Sequence, residues 1–298
     1  MITLINHLNS PIWTDKNKHL KQKSNGARIY SIAITKYYWP IFQQVFAEQP
    51  SNVVLITVTS EGKAIQFKEF DRIFLFMHEC NYLKQPTIAR AKRFAQANPQ
   101  AHCTFIVWNE ATALAMQANG LDSMFVPMAI DVDEIHAAYD PTIKKANKKL
   151  IYFGHLRSTK LLYYKFFVEE ANKLGWHVDL ISDNRFNNGM VLTRPQILQV
   201  LQHYNYGVGV GQCAHEMAAL GLKVILYAYN YKCNCPYTPE EARYYMHRNL
   251  VSQEETNVTV KDAILNINRL VSFEPVDIKA QAQALGAQLE SLISKDRI

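Results

Sequence analysis

Residues 206–227 read YGVGVGQCAHEMAALGLKVILY, and this segment decides the fold class. Its first part, Tyr206–Val210, is a short apolar run of the kind that forms a buried parallel strand. The stretch Cys213–Leu220 has the composition of a helix, and Lys223–Tyr227 is again apolar and strand-like. Strand, helix and strand in succession predict a βαβ unit and hence a parallel sheet.

The same alternation runs through the rest of the second half. Strand patterns alternate with helical ones at Leu150–Phe153, Leu161–Leu174, His177–Ser182 and Pro195–Tyr204. Pro195 suits the first turn of a helix, where a missing N–H leaves no hydrogen bond unmade. One more amphipathic helix is expected over Asp277–Ser294.

The first half contains a second series of the same kind. Apolar runs predict strands, and the stretches between them predict helices, at Ile2–Ile5, Arg28–Ala47, Val53–Thr59, Arg72–Met77, Thr87–Ala97, His102–Trp108, Glu110–Asn119 and Met124–Pro127. Pro40 predicts a kink in the first helix, while Asn109 and Gly120 are suited to cap the two ends of the third. The chain is therefore predicted to be an α/β protein with two parallel sheets that have helices on both faces.

A Pro and a lysine-rich run separate the two series. Asp140-Pro141 is followed by Lys144-Lys145-Ala146-Asn147-Lys148-Lys149, a solvated segment of like charge. We therefore expect an N-terminal domain over residues 1–147, a C-terminal domain over 148–275 and a terminal helix over 276–298.

The composition is that of a globular chain, with 298 residues, 48% of them hydrophobic and 19% charged. No apolar run approaches the roughly 18 residues that a membrane span needs, and Met1–Ser10 lacks the pattern of a signal peptide. Five cysteines form no even framework, which favours free thiols, a reducing compartment and a cytoplasmic location. The net charge of +6 is modest for a dedicated nucleic-acid binder but compatible with a polyanionic acceptor.

Parallel sheets bind ligands at the carboxyl ends of their strands, so the loops there hold the candidate residues. After the strand Leu150–Phe153 come Gly154, His155, Arg157 and Lys160, at the start of a helix. Their charges and the helix dipole are suited to hold a diphosphate. An ordinary capped loop with solvated cations explains the same residues equally well.

The glycine-rich loop of the opening segment is the second candidate. Gly209 and Gly211 allow a backbone to approach a ligand closely, and Gln212 and Cys213 open the next helix. Glu216 is expected in the first turn of that helix, where its carboxylate can accept hydrogen bonds from both ribose hydroxyls. The alternative is a strand end rich in glycine and a glutamate that merely favours the helix dipole.

Taken together, these segments resemble the nucleotide-sugar region of GT-B glycosyltransferases, in which a Gly-rich loop precedes "Glu-Ala-Met-Ala-x-Gly-x-Pro-Val-Ile". Several positions match it or are compatible with it: Glu216, Ala218, Ala219, Gly221, Val224 and Ile225. Four further stretches resemble family elements in the same order along the chain: Phe125–Asp131, Phe153–Lys160, Thr238-Pro239-Glu240 and Asn249-Leu250. The resemblance covers roughly residues 124–250.

The resemblance implies two Rossmann-like domains that face a central cleft, and a hexosyl- or pentosyltransferase. The enzyme would move a sugar from a UDP-sugar or other nucleotide-sugar to an acceptor hydroxyl, with no obligatory metal or cofactor. The acceptor is either a hydroxylated DNA base, as in phage DNA-glycosylating enzymes, or a glycan. Alternatives are a non-catalytic nucleotide-sugar-binding protein and a two-Rossmann nucleotide-sugar epimerase.

Three positions depart from the family pattern. Val208 stands where many retaining members have a second glutamate that contacts the sugar, eight positions before the ribose-binding one. Lys223 replaces the usual proline, and Met128-Ala129 replaces Asn-Gly. The sugar contact and the stereochemical outcome are therefore left open.

The N-terminal half offers two weaker candidates. The long loop Asn6–Gly26 is rich in lysine, and its Asn25 and Gly26 are suited to form an anion nest for the donor or acceptor. Basic residues near aromatic ones can also bind a nucleic-acid strand. A lysine-rich stretch of this kind is more often a solvated surface loop. His78 and Glu79 follow a predicted strand and are the candidate catalytic residues, suited to polarise the acceptor hydroxyl or to hold the donor sugar. A histidine at a strand end is more often structural.

Two groups that imitate metal sites are interpreted as structural. Asp131-Val132-Asp133 resembles an Asp-x-Asp metal motif, but it opens a helix, where aspartate is favoured as a cap. Cys233-Asn234-Cys235 has one residue between its thiols, fewer than zinc sites usually have. No metal site is expected.

Overall fold

A computed structural model describes residues 2–5, 34–47, 52–59, 67–77, 84–154, 156, 158–182, 192–227, 231–248, 250 and 258–295. The chain divides by its internal contacts into two compact units. Unit 1 comprises Met1–Pro127 and Lys279–Ile298, and unit 2 comprises Met128–Ile278. Unit 2 therefore begins inside the segment Phe125–Asp131, whereas the sequence predicted the boundary later, in the lysine-rich run. The division also assigns most of the last helix to unit 1.

Unit 1 contains a five-stranded parallel sheet. Its strands are β1 (Ile2–Ile5), β2 (Val53–Thr59), β3 (Arg72–Met77), β4 (His102–Val107) and β5 (Ser123–Phe125), and they lie side by side in chain order. The five predicted strands are confirmed, three of them with the predicted bounds. The described strands show no reversal of order, so a Rossmann order in this half stays a prediction.

Three helices of unit 1 connect these strands: α1 (Trp39–Phe46), α2 (Lys84–Ala97) and α3 (Glu110–Gln117). A π-helical turn, Ile34–Tyr38, leads into α1. Pro40 is the second residue of α1, which directly follows this π-helical turn, and residues 28–33 of the longer predicted helix lie outside the described residues, so the kink stays a prediction. The predicted caps of α3 are confirmed, since Asn109 accepts a hydrogen bond from the Ala111 N–H at 3.0 Å and Gly120 has φ 72°.

The helices of unit 1 cover both faces of its sheet because side chains alternate along each strand. On one face, Phe74 of β3 contacts Phe42 and Phe46 of α1 with ring centroids 5.2 and 5.3 Å apart. On the other, Ile73 and Leu75 belong to a buried cluster with residues of α2 and α3. The prediction of helices on both faces is confirmed for this unit.

Unit 2 contains a four-stranded parallel sheet of β6 (Lys149–Phe153), β7 (His177–Ile181), β8 (Tyr206–Gly209) and β9 (Lys223–Leu226). The order across the sheet is β7-β6-β8-β9. After β7 is added on one side of β6, the next strands are added on the other side, so the strand order reverses between β6 and β8. The first helix of this unit precedes β6 in the chain, and the others follow it. They are α4 (Val132–Ala137), α5 (Ser158–Lys173), α6 (Arg194–Leu201), α7 (Gln212–Ala219), α8 (Pro239–Met246) and α9 (Val260–Leu265). A crevice outside the carboxyl ends of β6 and β8 is the place where such a sheet binds ligands.

Two further features complete unit 2. Lys232–Cys233 (β10) and Val258–Thr259 (β11) form a short antiparallel pair. Asp131 caps α4 by accepting a hydrogen bond from the Glu134 N–H at 3.1 Å, which confirms its structural interpretation. Buried residues on the two faces of the sheet form separate clusters, with Ile151 in one and Leu150 and Tyr152 in the other.

The last helix, α10, spans Ile278–Lys295, close to the prediction. Gly286 lies against α1, since a Cβ atom there would be 2.8 Å from Cγ2 of Ile41. Within the described part of the chain, no helix is both long and apolar enough to cross a membrane.

Candidate functional site

The carboxyl ends of β6 and β8 approach each other closely at Gly209. A Cβ atom on Gly209 would lie 2.6 Å from the carbonyl oxygen of Phe153 and 3.0 Å from Cε of Met217. A Cβ atom on Gly207 would collide with the side chain of Met217. These two glycines therefore have a packing role within the protein, which the interpretation of the glycine-rich loop as a ligand cradle did not include.

Gly211 has a conformational role. It precedes α7 with φ 58° and ψ −137°, where a Cβ atom would meet nothing within 4 Å. Side-chain-bearing residues rarely adopt this conformation, so glycine is required by the backbone and not by space. The Gly211 N–H donates to the carbonyl oxygen of Leu250 at 3.0 Å.

No described side chain caps the N-terminus of α7. The Gly211 carbonyl accepts from the N–H groups of Ala214 and His215, at 3.0 and 3.1 Å. The first-turn N–H of Gln212 has no side-chain acceptor among the described residues, whereas the N–H of Cys213 interacts with its own sulfur. The positive end of the helix dipole adds to the attraction of this turn for an anion.

The loop after β6 is fastened to the end of β7. The Gly154 N–H donates to the Ile181 carbonyl at 3.1 Å, and the Leu156 N–H donates to the Ser182 hydroxyl at 3.1 Å. This anchoring places the beginning of α5 at the same edge of the sheet as the beginning of α7. His155 and Arg157, both predicted to contact a diphosphate, lie outside the described residues.

Charges of both signs lie near the first turn of α7. Burial and the negative charge of Glu216 raise the pKa of the Cys213 thiol to about 12, and the positive charges of Lys160 in α5 and Arg194 in α6 oppose this shift. Both side chains are therefore close enough to Cys213 for their charges to act on it. Of the predicted binding residues, the structure brings Gly154, Lys160, Gly209, Gly211, Gln212, Cys213 and Glu216 to one edge of the sheet.

Glu216 lies deeper than predicted. Because α7 begins at Gln212, Glu216 is in the second turn, and the predicted first-turn position was wrong. The residue is only 2% exposed. Its Oε1 accepts hydrogen bonds from Arg194 Nη1 at 2.8 Å and from Gln212 Nε2 at 2.9 Å. Its Oε2 is buried and has no hydrogen-bond partner among the described residues.

Arg194 is the residue of this site that the sequence did not reveal. It is the first residue of α6, and its Nε also donates to Glu134 of α4 at 3.1 Å. Burial raises the pKa of Glu216, and the Arg194 guanidinium opposes that shift. Three helices that are far apart in sequence supply these charges, and no local pattern around Arg194 indicates the pairing.

His215 is a second buried polar group beside Glu216. Its side chain is fully buried, and neither ring nitrogen has a hydrogen-bond partner in the described part of the chain. Burial lowers the pKa of His215 to about 3, so the ring is neutral at physiological pH. A buried polar group without partners is costly, and nothing among its described neighbours offsets this cost.

The segments downstream support the glycine-rich loop. Thr238 and Glu241 form a capping box at α8, with the Glu241 N–H 3.2 Å from the Thr238 hydroxyl. Leu250 is buried with φ 46°, and its N–H donates to the Tyr245 carbonyl at 2.9 Å. These residues fix the carbonyl that holds Gly211. Asn249 lies outside the described residues.

The remaining candidates are either buried or outside the described residues. Val208 is fully buried in the core of unit 2. His78 and Glu79, which directly follow β3, and Asn25 and Gly26 all lie outside the described part of the chain.

The described residues contain no group of three or more His, Cys, Asp or Glu that is arranged to hold a metal ion. Cys233 and Cys235 are buried free thiols. Comparison with models of known protein families and with curated proteins gave no match. The function is therefore inferred from the geometry of this site.

Proposed function

We propose that unit 2 binds a nucleotide-sugar at the carboxyl ends of β6 and β8, and that the chain is a glycosyltransferase with two Rossmann-like domains. The observation that supports this proposal is the N-terminus of α7, which has no side-chain cap, at a reversal of strand order and with Lys160 beside it. Reversals of this kind are the usual binding places for nucleotides in parallel sheets.

The phosphates of the donor would lie at the first turn of α7. Lys160 and the amides of Gln212 and Cys213 would stabilise the negative charge that develops on the departing diphosphate, together with Arg157. Glu216 Oε2 would accept from a ribose hydroxyl. Because that oxygen is out of contact with solvent, the atoms covering it must move when the nucleotide binds.

The proposed reaction transfers the sugar to an acceptor hydroxyl. The bond between the sugar C1 and the diphosphate oxygen breaks, and the diphosphate leaves with the electron pair. The acceptor oxygen forms the new bond to C1, and its proton passes to a base, for which His78 or Glu79 is the proposed group. A hydroxylated DNA base or a glycan is the proposed acceptor, bound by the N-terminal half.

A non-catalytic nucleotide-sugar-binding protein is the second candidate. The observation that favours it is the valine at position 208, which has no carboxylate to contact the sugar. The two candidates differ in turnover and not in donor binding.

Calorimetry with UDP, UMP and other nucleotides tests the binding site, and mass spectrometry of the products from a panel of nucleotide-sugars tests turnover. Lys160→Ala should weaken UDP binding about 10-fold or more, the range for a charged hydrogen bond. Lys165→Ala is the matched control, because Lys165 is an exposed residue of the same helix. If no nucleotide binds, the proposed function is overturned; if nucleotides bind without turnover, the non-catalytic candidate is favoured.

A further inference from the structure

Arg194 connects three helices of unit 2 through its guanidinium. Nε donates to Glu134 Oε1 at 3.1 Å, and Nη1 contacts Glu216 Oε1 at 2.8 Å. The two carboxylates differ in environment, since the side chain of Glu134 is 48% exposed and that of Glu216 is 3% exposed. The planar guanidinium can make both contacts at once, whereas a lysine ammonium is a point charge without this fork geometry.

The buried Glu216 carboxylate depends on this contact. Burial disfavours the ionised form of a carboxyl and raises the pKa of Glu216, while Arg194, by charge and hydrogen bond, and Gln212, by hydrogen bond, oppose the shift. Glu134 adds a smaller effect that raises the pKa. Among the described residues, the other titratable groups of this region are Lys160, the neutral Cys213 thiol and the neutral His215 ring. Arg194 is the one cation that the described structure places in direct contact with Glu216.

The contact also determines which carboxylate oxygen remains available. Arg194 and Gln212 both occupy Oε1, while Oε2 has no hydrogen-bond partner among the described residues. A buried carboxylate oxygen without a donor is costly, so it favours a ligand that brings a hydroxyl or N–H group.

We infer that Arg194 is a positioning residue, which fixes Oε1 of Glu216 and supplies its counter-charge so that Oε2 accepts a hydroxyl of the bound nucleotide-sugar. This inference rests on the proposed function for the identity of the ligand. The contact between Arg194 and Glu216 itself is present without any ligand, so its effect on Glu216 can be measured separately.

The ligand-free test compares thermal unfolding of the whole chain between pH 5 and pH 8. In Arg194→Met, burial without a counter-charge should raise the folded pKa of Glu216 further above the ordinary value of 4.5. A carboxyl with a raised folded pKa contributes stability below its unfolded pKa and loses it as pH rises through its folded pKa. The Tm of Arg194→Met should therefore fall more than that of the wild type between pH 5 and pH 8. Adding Glu216→Gln should remove this extra fall.

The ligand test measures UDP binding by calorimetry over the same pH range. Arg194→Met should weaken binding about 10-fold or more at pH 6, because the neutral carboxyl forms a weaker hydrogen bond, and the loss should shrink as pH rises. Glu134→Gln is the control, since it removes the charge of the other carboxylate beside Arg194 and leaves the contact with Glu216. It should change UDP affinity less than about threefold, as expected for a partly exposed ion pair.

Each outcome decides the inference. If the wild type and Arg194→Met have the same pH dependence of Tm, Arg194 does not supply the counter-charge of Glu216 and the inference is overturned. If Arg194→Met lowers UDP affinity by the same factor at every pH, Arg194 binds the phosphate and does not position Glu216. If the Tm profiles differ but the wild type binds no nucleotide, the proposed function fails and the contact between Arg194 and Glu216 is structural only.

Discussion

The N–H of Gly211 donates to the carbonyl oxygen of Leu250 at 3.0 Å, and both residues have a positive φ, 58° and 46°. One hydrogen bond thus joins two residues of positive φ at the carboxyl end of β8. Their hydrogen bond fixes the backbone that leads into α7 and leaves the first turn of this helix open. The geometry of the proposed phosphate site therefore depends on backbone conformation as much as on charged side chains.

Gly211→Ala should destabilise the protein by about 1–3 kcal/mol, the cost of forcing a side-chain-bearing residue into this conformation. The space around Gly211 is open, so the expected cost is conformational and not steric. Urea denaturation measures it. Gly154→Ala is the control in the neighbouring loop, because a Cβ there would make an ordinary contact, 3.7 Å from Cε1 of Tyr152. Equal stability of the two variants would contradict the assigned role of Gly211.

Gly209→Ala should destabilise the protein for a different reason. The new Cβ would lie 2.6 Å from the Phe153 carbonyl oxygen, a backbone atom that cannot move without displacing β6. Overpacking of this kind costs about 1–3 kcal/mol. Gly207→Ala is the comparison, because its new Cβ meets the flexible side chain of Met217. Denaturation curves should show the larger loss for Gly209→Ala, and the reverse order would show that the approach of β8 to β6 is not close.

The strands could be predicted from the sequence because parallel strands are buried on both faces and form continuous apolar runs. The runs of β2 and β3 predicted the bounds that the structure has. The position of Glu216 was predicted less well. The unusual conformation of Gly211 ends β8 and starts α7 at Gln212, which moves Glu216 into the second turn.

The surroundings of Glu216 could not be predicted from the sequence. Its partner Arg194 begins another helix, and Glu134 lies in the first turn of a third, so their contacts depend on the packing of three helices. The sequence also suggested that the glycines free the backbone for a ligand. For Gly207 and Gly209 the structure shows contacts with Met217 and Phe153 instead, and these contacts are long-range consequences of the sheet order.

His215→Leu should stabilise the protein at neutral pH by about 1–3 kcal/mol, because it removes a buried polar ring whose nitrogens have no partner among the described residues. The pH dependence gives a second test. The folded pKa of His215 is lowered from 6.5 to about 3, so its neutral form is favoured in the folded state. The wild type should therefore lose stability as pH falls from about 6.5 toward 3, by up to about 1.4 kcal/mol per pH unit from this residue.

Urea denaturation at pH 7 and pH 5 measures both effects. His215→Leu should lose less stability than the wild type between these values. His203→Leu is the control, because His203 is an exposed histidine of the same unit. A destabilised His215→Leu with an unchanged pH dependence would show that the ring has partners in the folded protein, such as a bound water molecule.

Glu216→Gln should weaken nucleotide binding by about 1.5–3 kcal/mol, the range for hydrogen bonds to a charged group. The glutamine side chain is nearly isosteric with glutamate, so its Oε1 can still accept a hydrogen bond from Arg194, while the negative charge is lost. If Oε2 accepts from a ribose hydroxyl, the wild type should bind UDP more tightly than its 2′-deoxy or 3′-deoxy analogue, and Glu216→Gln should bind all three with similar affinity. Calorimetry measures the affinities, and circular dichroism checks that the variant is folded. A folded Glu216→Gln that keeps both its UDP affinity and its preference for ribose would remove Glu216 from the binding site and leave its contact with Arg194 as a structural ion pair.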